Sequence, residues 1–219
     1  MTESPYRARE AESYDADREG ELHWQREHDY VQALLARRAP RRMLDVPIGT
    51  GRFLALAGET TRVFGVDLSG AMLQLARRRA AQLPTVALMR GSVMELPFSR
   101  GTFDLTICCR LVHLLPTDQL VPVFAELARV TAGRVCVQAY VRGPLPWRLQ
   151  SRLLRWARSL RSARRGTQAA PWAHIPAHFH TASDLLHAAA QAGLREHSRA
   201  QLARYQSTRV MMYEWDSPP

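Results

Sequence analysis

Two acidic residues on either side of a glycine turn are the part of the sequence best suited to chemistry. Asp45 ends a short apolar stretch, Gly49 and Gly51 follow it, and Asp67 ends a second apolar stretch at 63–66. Glycine has no Cβ, so the backbone can approach a ligand closely at such a turn. In open α/β sheets the ligand lies outside the carboxyl ends of the strands. This spacing predicts a nucleotide site, with Asp67 near ribose hydroxyls.

The turn and the acid by themselves fit either a dinucleotide oxidoreductase or a methyltransferase. The NAD fingerprint G-x-G-x-x-G requires a third glycine, and Leu54 occupies that position. The segment from Asp45 to Gly51 instead resembles the D-x-G-x-G-x-G signature of class I S-adenosylmethionine (SAM)-dependent methyltransferases, with Pro47 in place of the first glycine. Segments 90–105 and 124–130 resemble two further motifs of the small-molecule branch (ubiquinone-biosynthesis-like, methyltransferase type 11).

The resemblance implies that SAM is the cofactor and S-adenosylhomocysteine (SAH) the product. It assigns Asp67 to the ribose and Leu68 to the adenine, while Ser92 replaces the usual Asp. The residues it places at the cofactor are Tyr14, Arg18, Asp45, Pro47, Gly49, Gly51, Asp67, Leu68, Ser92, Val93 and Cys109. Purely structural roles stay open as alternatives: a helix cap for Asp67 and a packing role for Ser92.

Candidate catalytic residues follow the fourth and fifth predicted strands. His113 matches an L-H-H-L-type position of the small-molecule branch, and a histidine can take a proton from a hydroxyl or an amine near neutral pH. Tyr140 and His178 are further candidates for the substrate cleft. A histidine packed between strand and helix is the alternative for His113.

Other site chemistries are disfavoured. The loop after Cys109 has no N-P-P-Y motif and no Pro-Cys pair, which argues against base or Gln amine methylation and against a cysteine nucleophile. Cys108 and Cys109 are expected in the core. His174, His178 and His180 match no ordinary zinc spacing, so no metal site is predicted.

Alternating strands and helices predict a three-layer α/β fold with a mostly parallel sheet. The resemblance adds the strand order 3-2-1-4-5-7-6, with the last strand antiparallel. We predict a single domain over residues 1–219, with an N-terminal arm and helix at 1–40 and a cap insertion at 143–180. Helices are expected at 21–39, from Arg52, at 69–83 with Ser69 as the N-cap, from Thr117 to Val130, and from Thr181 as the N-cap to about Ala192.

The net charge of +10 arises from arginine alone, because the chain contains no lysine. Codon bias in a GC-rich genome and an anionic partner (nucleic acid, a membrane surface or an acidic substrate) explain the charge equally well. A basic amphipathic helix is predicted at 147–165, and its arginine face is either solvated or binds an anionic group or a membrane surface. RNA is the weaker alternative, since aromatic residues do not alternate with the arginines.

Three cysteines and no long apolar segment predict a cytoplasmic protein, with attachment to the inner face of a membrane left open. The leading hypothesis is a SAM-dependent methyltransferase that acts on an O, N or C atom of a small molecule, acidic or lipid-linked. An RNA methyltransferase and a non-catalytic methyltransferase-like subunit are the alternatives. The sequence leaves the oligomeric state open.

Overall fold

The computed structural model describes residues 8–143, 177–205 and 207–218. The predicted helix at 147–165, most of the predicted cap at 143–180, and His174 lie outside these ranges. Everything stated below concerns the described residues.

A seven-stranded sheet with the order β3-β2-β1-β4-β5-β7-β6 forms the centre of the molecule. Its strands are β1 (Arg42–Asp45), β2 (Arg62–Asp67), β3 (Val86–Arg90), β4 (Phe103–Cys108), β5 (Thr131–Arg142), β6 (Arg195–Arg204) and β7 (Thr208–Asp216). The first five pair in parallel, and β7 runs antiparallel between β5 and β6. The predicted fold class and strand order are confirmed.

In the part of the chain that the structure describes, five α-helices pack around the sheet. They are α1 (Ala8–Arg18), α2 (Trp24–Arg38), α3 (Gly70–Ala80), α4 (Leu120–Val130) and α5 (Ala182–Gln191). Ser69 caps α3 by accepting a hydrogen bond from the Met72 backbone, and Thr181 with Asp184 forms a capping box on α5. Both predicted N-caps are therefore present.

The predicted helix from Arg52 is wrong. The chain makes a single 3-10 turn at Leu54–Leu56 and then returns to β2. Residues 54–61 must cross back to the opposite end of the sheet, which leaves no length for an α-helix. The helix predicted from Thr117 begins as a 3-10 turn at Thr117–Gln119, and α4 starts at Leu120, so Pro122 falls in the first turn, where no helical partner for its nitrogen is needed.

The core lies on both faces of the sheet. On one face α4 and α5 bury Phe124, Leu127 and Leu185, and on the other α2 and α3 bury Leu34 and Leu73. Across the described ranges, no helix combines the length and apolar character that a membrane crossing requires. The cleft lies at the carboxyl ends of the parallel strands, between the two layers of helices.

Candidate active site

The cleft opens at the carboxyl ends of β1, β2 and β4. It encloses about 980 Å³ of empty space, open solvent at its mouth included. Among the residues predicted at the cofactor, those that line it are Tyr14, Asp45, Pro47, Gly49, Asp67, Leu68, Ser92, Val93 and Cys109. Arg18 and Gly51 do not line it. The sequence motifs are thus brought together around one hollow.

Asp67 fastens the glycine turn to the end of β2. Its Oδ2 accepts a hydrogen bond from the Gly49 backbone N–H at 2.8 Å, and its Oδ1 accepts one from the Ser69 N–H at 2.8 Å. Gly49 has φ +56°, a left-handed conformation that favours glycine, and no atom lies within 4 Å of where its Cβ would stand. Burial raises the pKa of the Asp67 carboxyl, and the backbone N–H groups of Ser69, Gly49 and Leu68 oppose that rise.

Gly51 serves the packing of the turn. It has φ +79°, and a Cβ there would stand 2.8 Å from the Leu54 Cδ1 and 3.2 Å from the Ala76 Cα of α3. The absence of a side chain therefore lets the turn sit against α3. The Val46–Pro47 peptide bond just before the turn is cis, and Pro47 lines the cleft.

Asp45 places a second carboxyl group in the cleft. The residue is only 1% exposed, and burial raises the pKa of its carboxyl to about 8, with the neighbouring Asp67 adding to the rise and Arg52 opposing it. At neutral pH the group is largely protonated and uncharged. A cation bound nearby would favour its ionised form.

Helix α1 covers one side of the cleft, and polar contacts join it to the glycine turn. Thr50 donates a hydrogen bond to Asp15 at 3.0 Å, and Arg79 of α3 forms an ion pair with the same carboxylate. Tyr14 lines the cleft, and the Arg18 guanidinium lies 4.3 Å from the centre of its ring. The predicted N-terminal arm is therefore helical and is anchored beside the turn.

The residues opposite the turn are mostly apolar. Val93 and Leu68 line this side, and the Ser92 hydroxyl accepts a hydrogen bond from the Met94 backbone at 3.2 Å. Burial raises the pKa of the Cys109 thiol well above its ordinary value, so the group stays protonated. The side chains named here are uncharged, so they offer a neutral surface to a ligand.

None of the three candidate catalytic side chains is among the residues that line this cleft in the described structure. His113 belongs to the loop that follows β4, and its ring packs edge-on against Tyr140 with ring centres 5.0 Å apart. Its Nδ1 is buried without a hydrogen-bond partner among the described residues, and burial, helped by the charge of Arg110, lowers the pKa of His113 to about 3. His178 is exposed, and its backbone N–H donates to the His113 carbonyl at 2.7 Å.

The sequence reasoning missed a buried polar network next to the glycine turn. Glu27 is fully buried, and its Oε2 accepts from the Arg52 Nη2 at 2.8 Å and from the Arg110 Nε at 3.0 Å. Arg110 also donates to Glu21 at 2.8 Å and holds a left-handed φ of +58°. The centre of a Trp24 ring lies 3.8 Å from the Arg52 guanidinium and 4.8 Å from the Arg110 guanidinium.

We call Trp24, Arg52 and Arg110 the arginine–tryptophan wall, since all three line the cleft. Position along the chain could have signalled two of its members. Arg52 and Arg110 each follow the carboxyl end of a parallel strand, and side chains from such loops converge at one edge of the sheet. Nothing in the local sequence indicates that Trp24 and Glu27 join them.

His23 extends the network to the surface. Arginine can only donate, so the contact of 3.0 Å from the Arg110 Nη2 requires a lone pair on the His23 Nε2. The proton of the neutral ring then lies on Nδ1, which donates to the Tyr205 hydroxyl at 2.7 Å. Tyr140 contacts the same Nε2 at 2.8 Å, which ties β5 to the start of α2.

His180 has a structural role in the described structure. The residue is 1% exposed, and its Nε2 contacts the Val112 carbonyl at 3.1 Å, which holds the loop that carries His113. No group of three or more potential metal ligands comes together within the described ranges.

Part of the chain is similar to known methyltransferases. Residues 43–133 match the family model described as a methyltransferase domain. The malonyl-[acyl-carrier protein] O-methyltransferase of Legionella pneumophila is 36% identical over 109 residues, which cover 48% of this chain and 38% of that protein. The phosphatidylethanolamine N-methyltransferase of Cereibacter sphaeroides is 33% identical over 110 residues, which cover 48% of this chain and 54% of that protein. The chain thus spans about half, or less, of the length of these relatives.

A solved structure shares the whole architecture. Geranyl diphosphate C-methyltransferase from Streptomyces coelicolor, in complex with Mg²⁺, geranyl diphosphate and SAH, superposes with a TM-score of 0.65 at 18% identity, covering 99% of this chain and 87% of that one. At this identity the likeness concerns the fold. The segment 43–133 thus matches a methyltransferase domain model, and the observed strand order is that of the Rossmann-like fold shared with this structure.

Proposed function

We propose that the protein is a SAM-dependent methyltransferase that transfers a methyl group to an oxygen, nitrogen or carbon atom of a small molecule, acidic or lipid-linked. The observation that carries the proposal is the hydrogen bond of 2.8 Å between the Gly49 N–H and the Asp67 Oδ2, at the carboxyl edge of the sheet. It joins a glycine turn and a carboxylate around an open cleft. The named activities of the two relatives and of the structural neighbour differ in the atom methylated, so the acceptor atom stays open.

The described residues fit the cofactor. Asp67 keeps lone pairs for ribose hydroxyls, since a carboxylate can accept about four hydrogen bonds. Leu68 and Val93 offer apolar surface for a base, and the side-chain-free Gly49 lets a ligand approach the backbone. When bound, SAM supplies a methyl group already activated by its sulfonium charge, so the protein acts mainly by binding, aligning and excluding water.

A hydroxyl or amine acceptor loses one proton on methylation. We propose that His113 accepts that proton through a bridging water molecule, because its ring does not line the cleft and its buried Nδ1 has no hydrogen-bond partner in the described structure. Tyr140 packs against the ring and fixes its orientation. His113→Gln is expected to slow transfer while SAH affinity is unchanged. A carbon acceptor or an unaffected rate would remove this role.

Calorimetric titration of the full chain with SAM and SAH tests the central proposal, and we expect micromolar dissociation constants. Absence of binding at millimolar ligand would refute it. Incubation of a cell lysate with methyl-labelled SAM then identifies the acceptor class. Label in RNA would favour the RNA methyltransferase alternative, and binding without any transfer of label would favour a non-catalytic subunit.

A further inference from the structure

We infer that the arginine–tryptophan wall binds an oxyanion, a carboxylate or phosphate group, carried by the methyl acceptor. The inference rests on the proposed function and names the class of its substrate. Trp24, Arg52 and Arg110 line the same cleft as Asp45, Gly49 and Asp67. A ligand bound at the wall would therefore lie beside the proposed SAM-binding site.

The wall keeps donor capacity for a ligand. Within the described ranges, Arg110 uses its Nε and one N–H on each Nη for Glu27, Glu21 and His23, and Arg52 uses one N–H on each Nη for Glu27 and the Trp24 carbonyl. A guanidinium carries five N–H groups, so each arginine has N–H groups that these bonds do not use. Oxyanions are the ligands that match this planar fork geometry.

The wall is also rigid before any ligand arrives. Glu27 Oε2 contacts both arginines, and the indole of Trp24 supports both guanidinium groups. The side-chain exposure of Arg52 is 13% and that of Arg110 is 8%, so little freedom remains to be lost on binding. A preorganised pair of guanidinium groups binds an anion at low entropic cost.

The charges of the network favour an anion. Its described ion pairs join Arg52 and Arg110 to Glu27, and Arg110 also to Glu21. The sulfonium of SAM would add a positive charge to the same cleft. One oxyanion on the acceptor offsets that charge and draws the acceptor next to the methyl group.

The test uses the full chain saturated with SAH and, in a parallel set, free of SAH. Malonate and inorganic phosphate are titrated by calorimetry at low salt, with uncharged malonamide as the comparison ligand. We expect malonate or phosphate to bind, malonamide not to bind, and Arg52→Gln to weaken anion binding roughly tenfold or more. Arg62→Gln, at the exposed start of β2, is the matched control and is expected to leave anion binding unchanged.

Two results would overturn the inference. One is anion binding that is absent in both sets or is equal in wild type and Arg52→Gln. The other is a selective loss of SAH affinity in Arg52→Gln with the affinity for 5′-methylthioadenosine, which lacks the amino-acid carboxylate, unchanged. That result would assign the wall to the cofactor. Failure of SAH to bind the wild type would refute the proposed function instead, and the SAH-free titration would still decide the inference.

Discussion

The glycine-turn half of the cleft and the arginine–tryptophan wall are built in different ways. In the first, backbone N–H groups of Gly49 and Ser69 meet the Asp67 carboxylate, and the partners are at most 18 residues apart. In the second, Arg110 reaches Glu27 across 83 residues and Glu21 across 89. One half depends on local backbone geometry, and the other depends on side chains that only the complete fold brings together.

Because of this difference, we expect substitutions in the two halves to have different effects. The glycine turn keeps its shape as long as its φ angles and one carboxylate remain. The wall holds buried charges, and loss of one partner leaves the others uncompensated in a region of low dielectric. Substitutions in the wall should therefore affect stability first, and those around Asp67 should affect ligand binding first.

The largest effect is expected for Glu27→Gln. The substitution keeps the shape of the side chain but leaves Arg52 and Arg110 without the carboxylate that both contact, so the free energy of unfolding should fall by about 3–5 kcal/mol. Urea denaturation measures the loss. Glu59→Gln, at an exposed loop position, is the control, and a loss no larger than that of the control would show that the wall is not a buried ion-pair network.

Next is the comparison of Gly51→Ala with Gly49→Ala. Both positions have positive φ, which costs an alanine about 1 kcal/mol, but a methyl group at 51 also meets Leu54 and Ala76. We expect a loss of about 3 kcal/mol for Gly51→Ala and about 1 kcal/mol for Gly49→Ala in thermal or urea unfolding. The order should reverse for SAH affinity, because only Gly49 lines the cleft. If the two variants lost the same unfolding free energy and the same SAH affinity, the packing role of Gly51 and the ligand role of Gly49 could not be distinguished, and the prediction would be wrong.

Asp67→Ala tests the glycine-turn half directly. We expect SAH affinity to fall roughly tenfold or more, since hydrogen bonds to a carboxylate contribute about 1.5–3 kcal/mol each. Asp104→Ala is the matched control: the Asp104 carboxylate also accepts two backbone N–H bonds, from Arg41 and Arg42 at 2.9 Å each, but at the opposite edge of the sheet. Calorimetry that finds the same SAH affinity in both variants would move the ribose contact elsewhere.

The smallest effect is a dependence of stability on pH. Asp45 keeps its proton in the folded state up to a pKa of about 8, whereas the unfolded chain releases it near 3.8. Between these values the folded state binds more protons, so the contribution of Asp45 to stability falls as pH rises. His113, with a folded pKa of about 3 against 6.5 unfolded, acts in the opposite direction below pH 6.5.

Between pH 6.5 and 8, therefore, the contribution of Asp45 to the free energy of unfolding changes with pH and the contribution of His113 does not oppose it. We expect the difference in unfolding free energy between wild type and Asp45→Asn to shift by about 1 kcal/mol across this range, in the direction of a weaker wild type at pH 8. Urea denaturation at several pH values measures it. SAM should also bind the wild type more tightly at pH 8 than at pH 6.5, because its cationic groups favour ionised Asp45. Parallel pH profiles of the two proteins would contradict both expectations.

Sequence patterns predicted the parts that depend on near neighbours. The strand order came with the recognised motifs, and the caps at Ser69 and Thr181 followed from hydrogen bonds within three residues of each helix start. The helix expected from Arg52 was wrong because its length depends on how far residues 54–61 must travel across the sheet. That distance is a property of the sheet, and no local pattern contains it.

The amino-acid sequence by itself determined the sheet, the glycine turn and the place of Asp67, because each is fixed by backbone conformation and by residues close along the chain. Only the tertiary structure decided that His113 packs against Tyr140 and does not line the cleft, and that Trp24, Arg52 and Arg110 line it with Glu27 in contact with both arginines. Those contacts join segments tens of residues apart, and buried charges select their partners only after folding has excluded water from around them.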